Sequence, residues 1–445
     1  MKVTILTVGT RGDVQPCLAF GQALQTQGHE VNMAAPLDYE KMVDESGLRF
    51  FPIRQQLRDI YRQKTGSQCL TERINPLHFL FGRNKKVRPI LDCIVSDLVS
   101  ACTGSDIILY TILAMPASFI ANDLGLPSMA LCFQPLSRTQ TFPSIFFHPQ
   151  VNIRFLNIAS HFLAEKAIRL VFQGSITRWR KKSRIPKTTR QHIHKYSHRE
   201  YPVLNAFSAH IVPKPSDWGK RKHITGFWFL DSAISSCKPS GELIKFLENG
   251  EPPVCISFGS MNDIRVKKRV NMGLQALQKT GKRAVLIAGK SGLQKQDLII
   301  SDNILVVDEV SHKWLFPRVS AIIHHGGAGT VAAAIRAGIA SIIIPFFFDQ
   351  KFWGNRLFAL GVGPQPIHEK KLSVETIAKA ITAVVEERKY NLKLQNLSVK
   401  VNNEKGLECA VKAFELETSR SITQKRETKS KDGTTKFRKF SRANS

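Results

Sequence analysis

The sequence has no long apolar run. Nowhere do about 18 or more uncharged apolar residues follow one another, the length a helix needs to cross a bilayer, so no spanning helix is expected. The opening run, MKVTILTVGT, goes straight into a strand pattern and is too short for a signal peptide. Paired cysteine spacing is missing as well. The eight cysteines, at 17, 69, 93, 102, 132, 237, 255 and 409, are scattered without a metal-type interval, and several fall inside apolar runs. They read as reduced core thiols of a cytoplasmic protein. Acid is scarce: 35 Asp and Glu stand against 64 Lys and Arg, a formal charge of +29. The acids form no cluster of the kind that holds a divalent cation, and no repeat recurs at a solenoid period.

The excess of base is concentrated. Arg178 to Arg199 holds nine Lys or Arg and no acid, and Arg420 to Ser445 holds nine against two acids. Together these stretches supply more than half of the net charge. Such runs are either solvated surface or a match for a polyanion. Nothing resembles a nucleic-acid module, which leaves an anionic membrane surface as the partner to expect. The length of 445 residues and a hydrophobic content of 43% suffice for two domains with their own cores.

Strand and helix patterns alternate along the chain. Val3 to Val8 is a continuous apolar strand, Gly9-Thr10-Arg11-Gly12-Asp13 a turn, and Cys17, Phe20, Gly21 and Leu24 line one face of a helix that Gly28 ends. Glu30 to Ala35, Leu48 to Ile53, Asp106 to Tyr110, Ser128 to Phe133 and Leu204 to Val212 read as further strands, with helices at Ile90 to Ala101, Ala117 to Leu124 and 151 to 180. Gln134 to Pro149, QPLSRTQTFPSIFFHP, is an aromatic loop marked by prolines. It either covers the core or walls an apolar pocket. A second series of strands follows at Val254 to Phe258, Ala284 to Ala288, Ile304 to Val307, Ala321 to Ile323 and Ser341 to Phe347, and the last amphipathic helix is expected at Lys405 to Leu416. The alternation implies α/β architecture.

The most informative stretch is Ala321 to Leu360. A strand ends at His324-His325. Gly326, Gly327 and Gly329 let the backbone turn sharply and approach a ligand. Thr330 then opens an Ala-rich helix. Strand, glycine turn and helix start make a phosphate site, because free N–H groups and the positive helix end face the anion. One strand later, Asp349-Gln350 heads another helix at a strand's carboxyl end, where open α/β sheets keep their ligands. A carboxylate beside an amide suits the hydroxyls of a polyol. Taken singly, the glycines could be steric and the aspartate a cap; together they are far more specific.

On these residues the stretch resembles the nucleotide-sugar signature of the family-one glycosyltransferases, most closely the sterol and lipid 3β-glucosyltransferase branch and its bacterial relatives that glycosylate antibiotics. GTRGDVQP (Gly9 to Pro16), the Gln-Pro and Phe-Pro steps of the aromatic loop, Arg178-Trp179-Arg180 and TGFWFLD (Thr225 to Asp231) are similar to segments of the same branch. Phe348 departs from it, standing where relatives usually carry a small residue, often Gly.

The resemblance implies two Rossmann-like domains facing across a cleft. An acceptor domain is expected at 1–215, a linker at 216–250, a nucleotide-sugar domain at 251–400, a helix packing back on the first domain at 401–418, and a basic disordered tail at 419–445. It implies Asp13 as catalytic base, although an N-cap role would by itself explain that residue. It places Thr10, Arg11, Gly12, Ser260, Val310, His325, Gly327, Ala328, Gly329, Thr330, Asp349 and Gln350 around the donor, with Val310 offering its backbone to the base. Gln134, Phe142 and Phe146 are then candidates for the acceptor. The expected reaction is inverting transfer of a hexose, most plausibly glucose, from a UDP-sugar to a sterol or other lipid-like alcohol, with no metal or other cofactor and with peripheral contact with anionic membrane. Two alternatives stay open: a polyketide, macrolide or phenolic acceptor, or a homologue that binds nucleotide sugar or lipid without transfer.

Overall fold

Strand β1 (Lys2–Leu6) lies inside a seven-stranded sheet, third from one edge, and its last four residues are buried on both faces. Strands of that kind belong in parallel sheets covered by helices on each side. The computed structural model describes residues 1–55, 87–146, 152–183, 201–231, 239–259, 264–289, 298–299, 301–346, 349–421 and 423.

In the first sheet β1 pairs in parallel with β2 (Glu30–Pro36), Val3 opposite Val31, and with β4 (Ile107–Thr111), Val3 opposite Ile107. Strands β3 (Arg49–Ile53), β5 (Ser128–Cys132), β6 (Val203–Asn205) and β7 (Lys222–Ile224) complete the order β3-β2-β1-β4-β5-β6-β7. Helices α1 (Arg11–Thr26), α2 (Glu40–Glu45), α3 (Val87–Cys102), α4 (Pro116–Asp123) and the 29-residue α5 (Arg154–Lys182) run between them.

Helix α6 (Gly241–Glu248) precedes a second parallel sheet of β8 (Val254–Ser257), β9 (Ala284–Ile287), β10 (Ile304–Val307), β11 (Ala321–His324) and β12 (Ala340–Ile343), ordered β10-β9-β8-β11-β12. Its helices are α7 (Ile264–Lys279), the short α8 (His312–Leu315), α9 (Ala328–Ala337), α10 (Asp349–Leu360), α11 (Val374–Ile381) and α12 (Asn391–Asn402). Both sheets reverse their winding at the central strand, between β1 and β4 and between β8 and β11. Ligands of open α/β sheets bind outside the carboxyl ends of the strands at such reversals.

A last helix, α13 (406–421), returns to the first sheet's side. Phe414 is fully buried there, edge-on to Phe20 of α1. Buried Glu417 accepts from Arg221 Nε (2.6 Å) and His223 Nε2 (3.0 Å) beside β7. At Gly406 a Cβ would stand 2.1 Å from the Phe227 carbonyl oxygen, so only glycine lets the chain pass so close.

Four readings of the sequence change. The strand expected over 204–212 is only β6, because Ile211 and Val212 fold their N–H groups back to Ser208 O in a turn. The last strand of the first sheet is β7, inside the segment expected as linker; Lys222 at its head is buried with Nζ on Tyr201 O (2.5 Å), a place that a charged residue does not suggest. The strand expected over 341–347 ends at Ile343, two residues before Pro345, which has no ladder donor. The helix at the C-terminus also continues to 421, past the expected start of the tail at 419.

Candidate active site

The turn between β11 and α9 is set by sterics. Gly326 has φ +91, and a Cβ on it would stand 2.7 Å from Ile343 Cγ2 and 3.0 Å from Gln350 O. Its N–H donates to Nδ1 of buried His324 (3.1 Å), which fixes the turn from below. A Cβ on Gly327 would stand 2.5 Å from His325 Nε2, so the absence of a side chain there leaves the imidazole its place. Gly327 is the N-cap of α9 and supplies no side-chain acceptor. The first N–H groups of the helix, at Ala328, Gly329 and Thr330, therefore lack a cap, and Gly329 is exposed. Burial holds the His325 imidazole down to about 4, so it is neutral at physiological pH. His312 of α8, stacked on Phe316, is likewise held down to about 4, by burial and then by Arg11 and His325. Val310 has its side chain in the core beside Leu315 and Phe316, so only its backbone can face a ligand. Ser260 and Phe348 lie outside the described residues.

Asp349 and Gln350 begin α10, but they do different things. Asp349 Oδ2 accepts from the indole N–H of buried Trp353 one turn on (3.0 Å). Desolvation, opposed by that bond and reinforced by the charge of Asp13, pushes Asp349 up to about 7. Gln350 is buried, and its Oε1 accepts from Phe346 N–H (2.7 Å). That bond ties its carbonyl to the loop that delivers Asp349. Arg269 braces the same loop from α7, its guanidinium 3.6 Å from the Phe346 ring centroid and its Nη1 on Pro345 O (3.3 Å). No sequence signal pointed to Arg269. Trp353 could have been found from its i+4 spacing to Asp349.

On the first domain, Gly9 to Asp13 follows β1 at that sheet's own reversal. Thr10 is the N-cap of α1 and Asp13 its third residue. Asp13 Oδ2 accepts from Thr10 N (2.9 Å) and lies 3.4 Å from Thr10 Oγ1. A Cβ on Gly9 would be 2.2 Å from Asp13 Oδ2, so that glycine holds the carboxylate's seat open. Asp13 is half-buried, and desolvation, opposed by the two Thr10 bonds, pushes its carboxyl up to about 6. Gly12 is exposed at the helix start. Arg11 reaches across to the second domain and pairs with Glu309. The charge of Asp13 is felt at Asp349, so the fold places the two domains' carboxylates near one another.

The aromatic loop does pack inward. Phe142 tilts against Phe352 of α10 (5.6 Å between centroids), so it joins the two domains. Phe146 is partly buried against the second domain's core, where Ile145 is fully enclosed. Gln134 is half-buried just past β5. The loop is fixed by Asp217, which accepts from Thr139 Oγ1 (2.8 Å) and Gln140 N (2.7 Å). The core-cover reading of this loop holds for Phe142, Ile145 and Phe146. Among the described residues no three His, Cys, Asp or Glu side chains gather as a cation site.

Residues 3–143 match the glycosyltransferase family 28 N-terminal domain, and residues 283–409 the C-terminal domain of the erythromycin biosynthesis protein CIII-like family. The chain is 33% identical over 429 residues to sterol 3-beta-glucosyltransferase UGT80B1 of Arabidopsis thaliana, covering 93% of this chain and 68% of the relative. It is 29% identical over 440 residues to the sterol 3-beta-glucosyltransferase of Yarrowia lipolytica, covering 96% of this chain but only 30% of that much longer protein. Among solved structures the glycotransferase of kitacinnamycin superposes with a TM-score of 0.65 at 17% identity, over 94% of this chain and 98% of that one. That likeness establishes the two-Rossmann-domain glycosyltransferase fold, and the identity to the plant relative establishes the branch: the chain belongs to the sterol 3-beta-glucosyltransferase family.

Proposed function

We propose that the protein transfers glucose from UDP-glucose to the hydroxyl of a sterol or similar lipid alcohol, with inversion at the anomeric carbon. One observation carries this reading. The half-buried carboxylate at the first sheet's reversal faces, within electrostatic range, the Asp349 unit that stands beside the uncapped start of α9. A proton acceptor, a polyol-binding carboxylate and an anion site thus share one cleft.

In the proposed step the acceptor oxygen attacks the anomeric carbon as Asp13 takes its proton. An alcohol is too weak an acid to ionise beforehand at neutral pH, and such assistance is worth about 10²–10⁴-fold. A carboxyl brought up to about 6 is a better base than an ordinary aspartate and is still largely ionised at pH 7. The bond from the anomeric carbon to the β-phosphate oxygen breaks on the opposite side. Negative charge then grows on UDP, where the N–H groups at the start of α9, the Thr330 hydroxyl and the His325 imidazole stabilise it. Asp349 orients the sugar. The backbone at Val310 pairs with the base. Arg11 exchanges Glu309 for the diphosphate when the donor arrives. The chain's own residues supply every one of these roles, so the reading includes indifference to chelators. It also has the protein working at the surface of an anionic membrane, where a sterol is available.

The experiment is a transfer assay on the purified chain with UDP-glucose and sterol, phenolic and macrolide alcohols, read by mass spectrometry with and without EDTA. A hexose added to a sterol, EDTA present, supports the reading. The match of residues 283–409 to a protein of erythromycin biosynthesis favours a macrolide as the second reading, and product on the macrolide alone would select it. UDP binding without product on any acceptor would leave a transfer-inactive binder, with Phe348 the residue to replace first.

A further inference from the structure

Helix α5 has an unusual outer face at its start. Its buried side carries Asn157, Ser160, His161 and Ala164. On the other side Ile153, Phe155, Leu156, Phe162 and Leu163 are all exposed, Phe155 at 76% of its surface. Phe155 and Phe162 are seven residues apart, as are Leu156 and Leu163, so each pair repeats on one face after about two turns. Five large apolar side chains within eleven positions make a contiguous patch, not isolated surface apolars.

The rim of this patch is cationic. Arg154 lies within it, and exposed Lys166 and Arg169 follow one and two turns on. The Arg138 guanidinium lies 5.1 Å from the Phe162 ring centroid. Between residues 154 and 199 the sequence has a single acid, Glu165, and its Oε2 is held by Arg138 Nε at 3.0 Å. Partners that would repeat this surface are disfavoured, since a second copy brings another +29 of charge.

The position matters as much as the chemistry. The same turns of α5 hold the acceptor-side loop on their inner face. Ser144 N donates to Ser160 Oγ (2.9 Å), Asn157 Nδ2 donates to Gln140 O (2.8 Å), and His161 Nε2 lies 3.1 Å from Phe142 O. The outer face thus lies across one helix from the loop expected to receive a lipid alcohol.

We infer that the Ile153–Leu163 face of α5, with Arg154, Lys166 and Arg169 at its rim, is the surface by which the protein docks on an anionic lipid bilayer. The inference rests on the lipid-acceptor reading above. Apolar side chains enter the headgroup boundary while the bases pair with headgroup phosphates and carboxylates.

Vesicle flotation of the full chain tests it, using phosphatidylcholine alone and phosphatidylcholine with phosphatidylserine, without sterol or UDP-glucose. Transfer to a sterol delivered in cyclodextrin is measured in parallel. The wild type is expected to bind the anionic vesicles. The combined change Phe155→Ser, Phe162→Ser and Leu163→Ser is expected to lower that partition by about tenfold or more while leaving transfer in cyclodextrin unchanged. Leu392→Ser, at an apolar residue of the second domain that is 85% exposed, is the control and should alter neither. Three outcomes overturn the inference: no binding of the wild type to anionic vesicles, equal binding by the triple variant, or a wild-type dimer that the triple variant makes monomeric. Loss of vesicle binding in the triple variant together with no transfer by any form would instead remove the enzyme reading and keep the docking face.

Discussion

The two halves of the cleft are built alike and charged differently. In each, a buried central-region strand ends in a glycine turn and a helix begins at the sheet's reversal: β1 into α1, and β11 into α9. At α1 the third residue is Asp13, whose carboxylate accepts the Thr10 N–H and closes the helix start with a negative charge. At α9 the N-cap is Gly327, no side chain closes the first turn, and the adjacent His325 is neutral. A helix start carrying its own carboxylate repels a phosphate, and one left open attracts it. In the proposed function the same supersecondary unit serves as a base on one side of the cleft and as an anion site on the other, through two or three residues.

Removing the charge from the closed unit should have the largest effect. Asp13→Asn keeps the hydrogen-bond acceptor for Thr10 and removes the base. Transfer should fall by about 10²–10⁴-fold, with UDP affinity by calorimetry unchanged; a near-normal rate in a well-folded variant would leave Asp13 as a cap and nothing more. Gly9→Ala sharpens the point from a neighbouring residue. Its new methyl would meet the Asp13 carboxylate at 2.2 Å, so kcat should drop at least tenfold, about 1.4 kcal/mol in the barrier, while UDP affinity again holds. If kcat survives, the position of the carboxylate does not matter.

Breaking the open unit should reverse that pattern. Gly326→Ala adds a methyl against Ile343 and Gln350 at a left-handed φ of +91. It should lose UDP affinity and cost roughly 1–3 kcal/mol of stability in denaturant unfolding. Unchanged affinity would show that the turn does not form the anion site.

The smallest effect is that of pH. Burial raises Asp13 to about 6 and Asp349 to about 7, so folding favours their protonated forms. Their contribution to stability is full below the ordinary aspartate range and is lost as pH rises through 6 and 7. The base must be ionised to act, so kcat/KM should climb with a midpoint near pH 6 or slightly above, for a pair that titrates together. Asp349→Asn should raise the Tm more at pH 8 than at pH 5. A flat profile between pH 5 and 8, or a Tm gain equal at both, would contradict the paired burial of these carboxylates.

Local pattern made much of this legible. Buried parallel strands are continuous apolar runs, so β1, β8 and β11 were visible within a residue or two. Glycine turns leading into helices were visible in the sequence at His325 to Thr330 and Gly9 to Asp13; glycine is required at Gly326 by its left-handed φ and at Gly9 by the close approach of Asp13. Short or charged pieces were not. Strand β7 has three residues and begins with a lysine, too little for any period. The sequence does not show where the Gln350 carbonyl goes; the position of Phe346 N–H does.

By itself the sequence determined the two α/β units, the order of their turns and the residue types at each, because those follow from periodicity, backbone sterics and composition. Tertiary structure decided which of these residues meet. Asp13 faces Asp349 across more than three hundred residues of sequence, Arg11 pairs with Glu309, and α13 carries Phe414 back to Phe20. Long-range electrostatics and desolvation have no local signature: a carboxyl's pKa depends on what the fold packs around it and excludes water from. The outward face of α5 belongs in the same class, since whether Phe155 is core or surface depends on which side of the helix the rest of the molecule occupies.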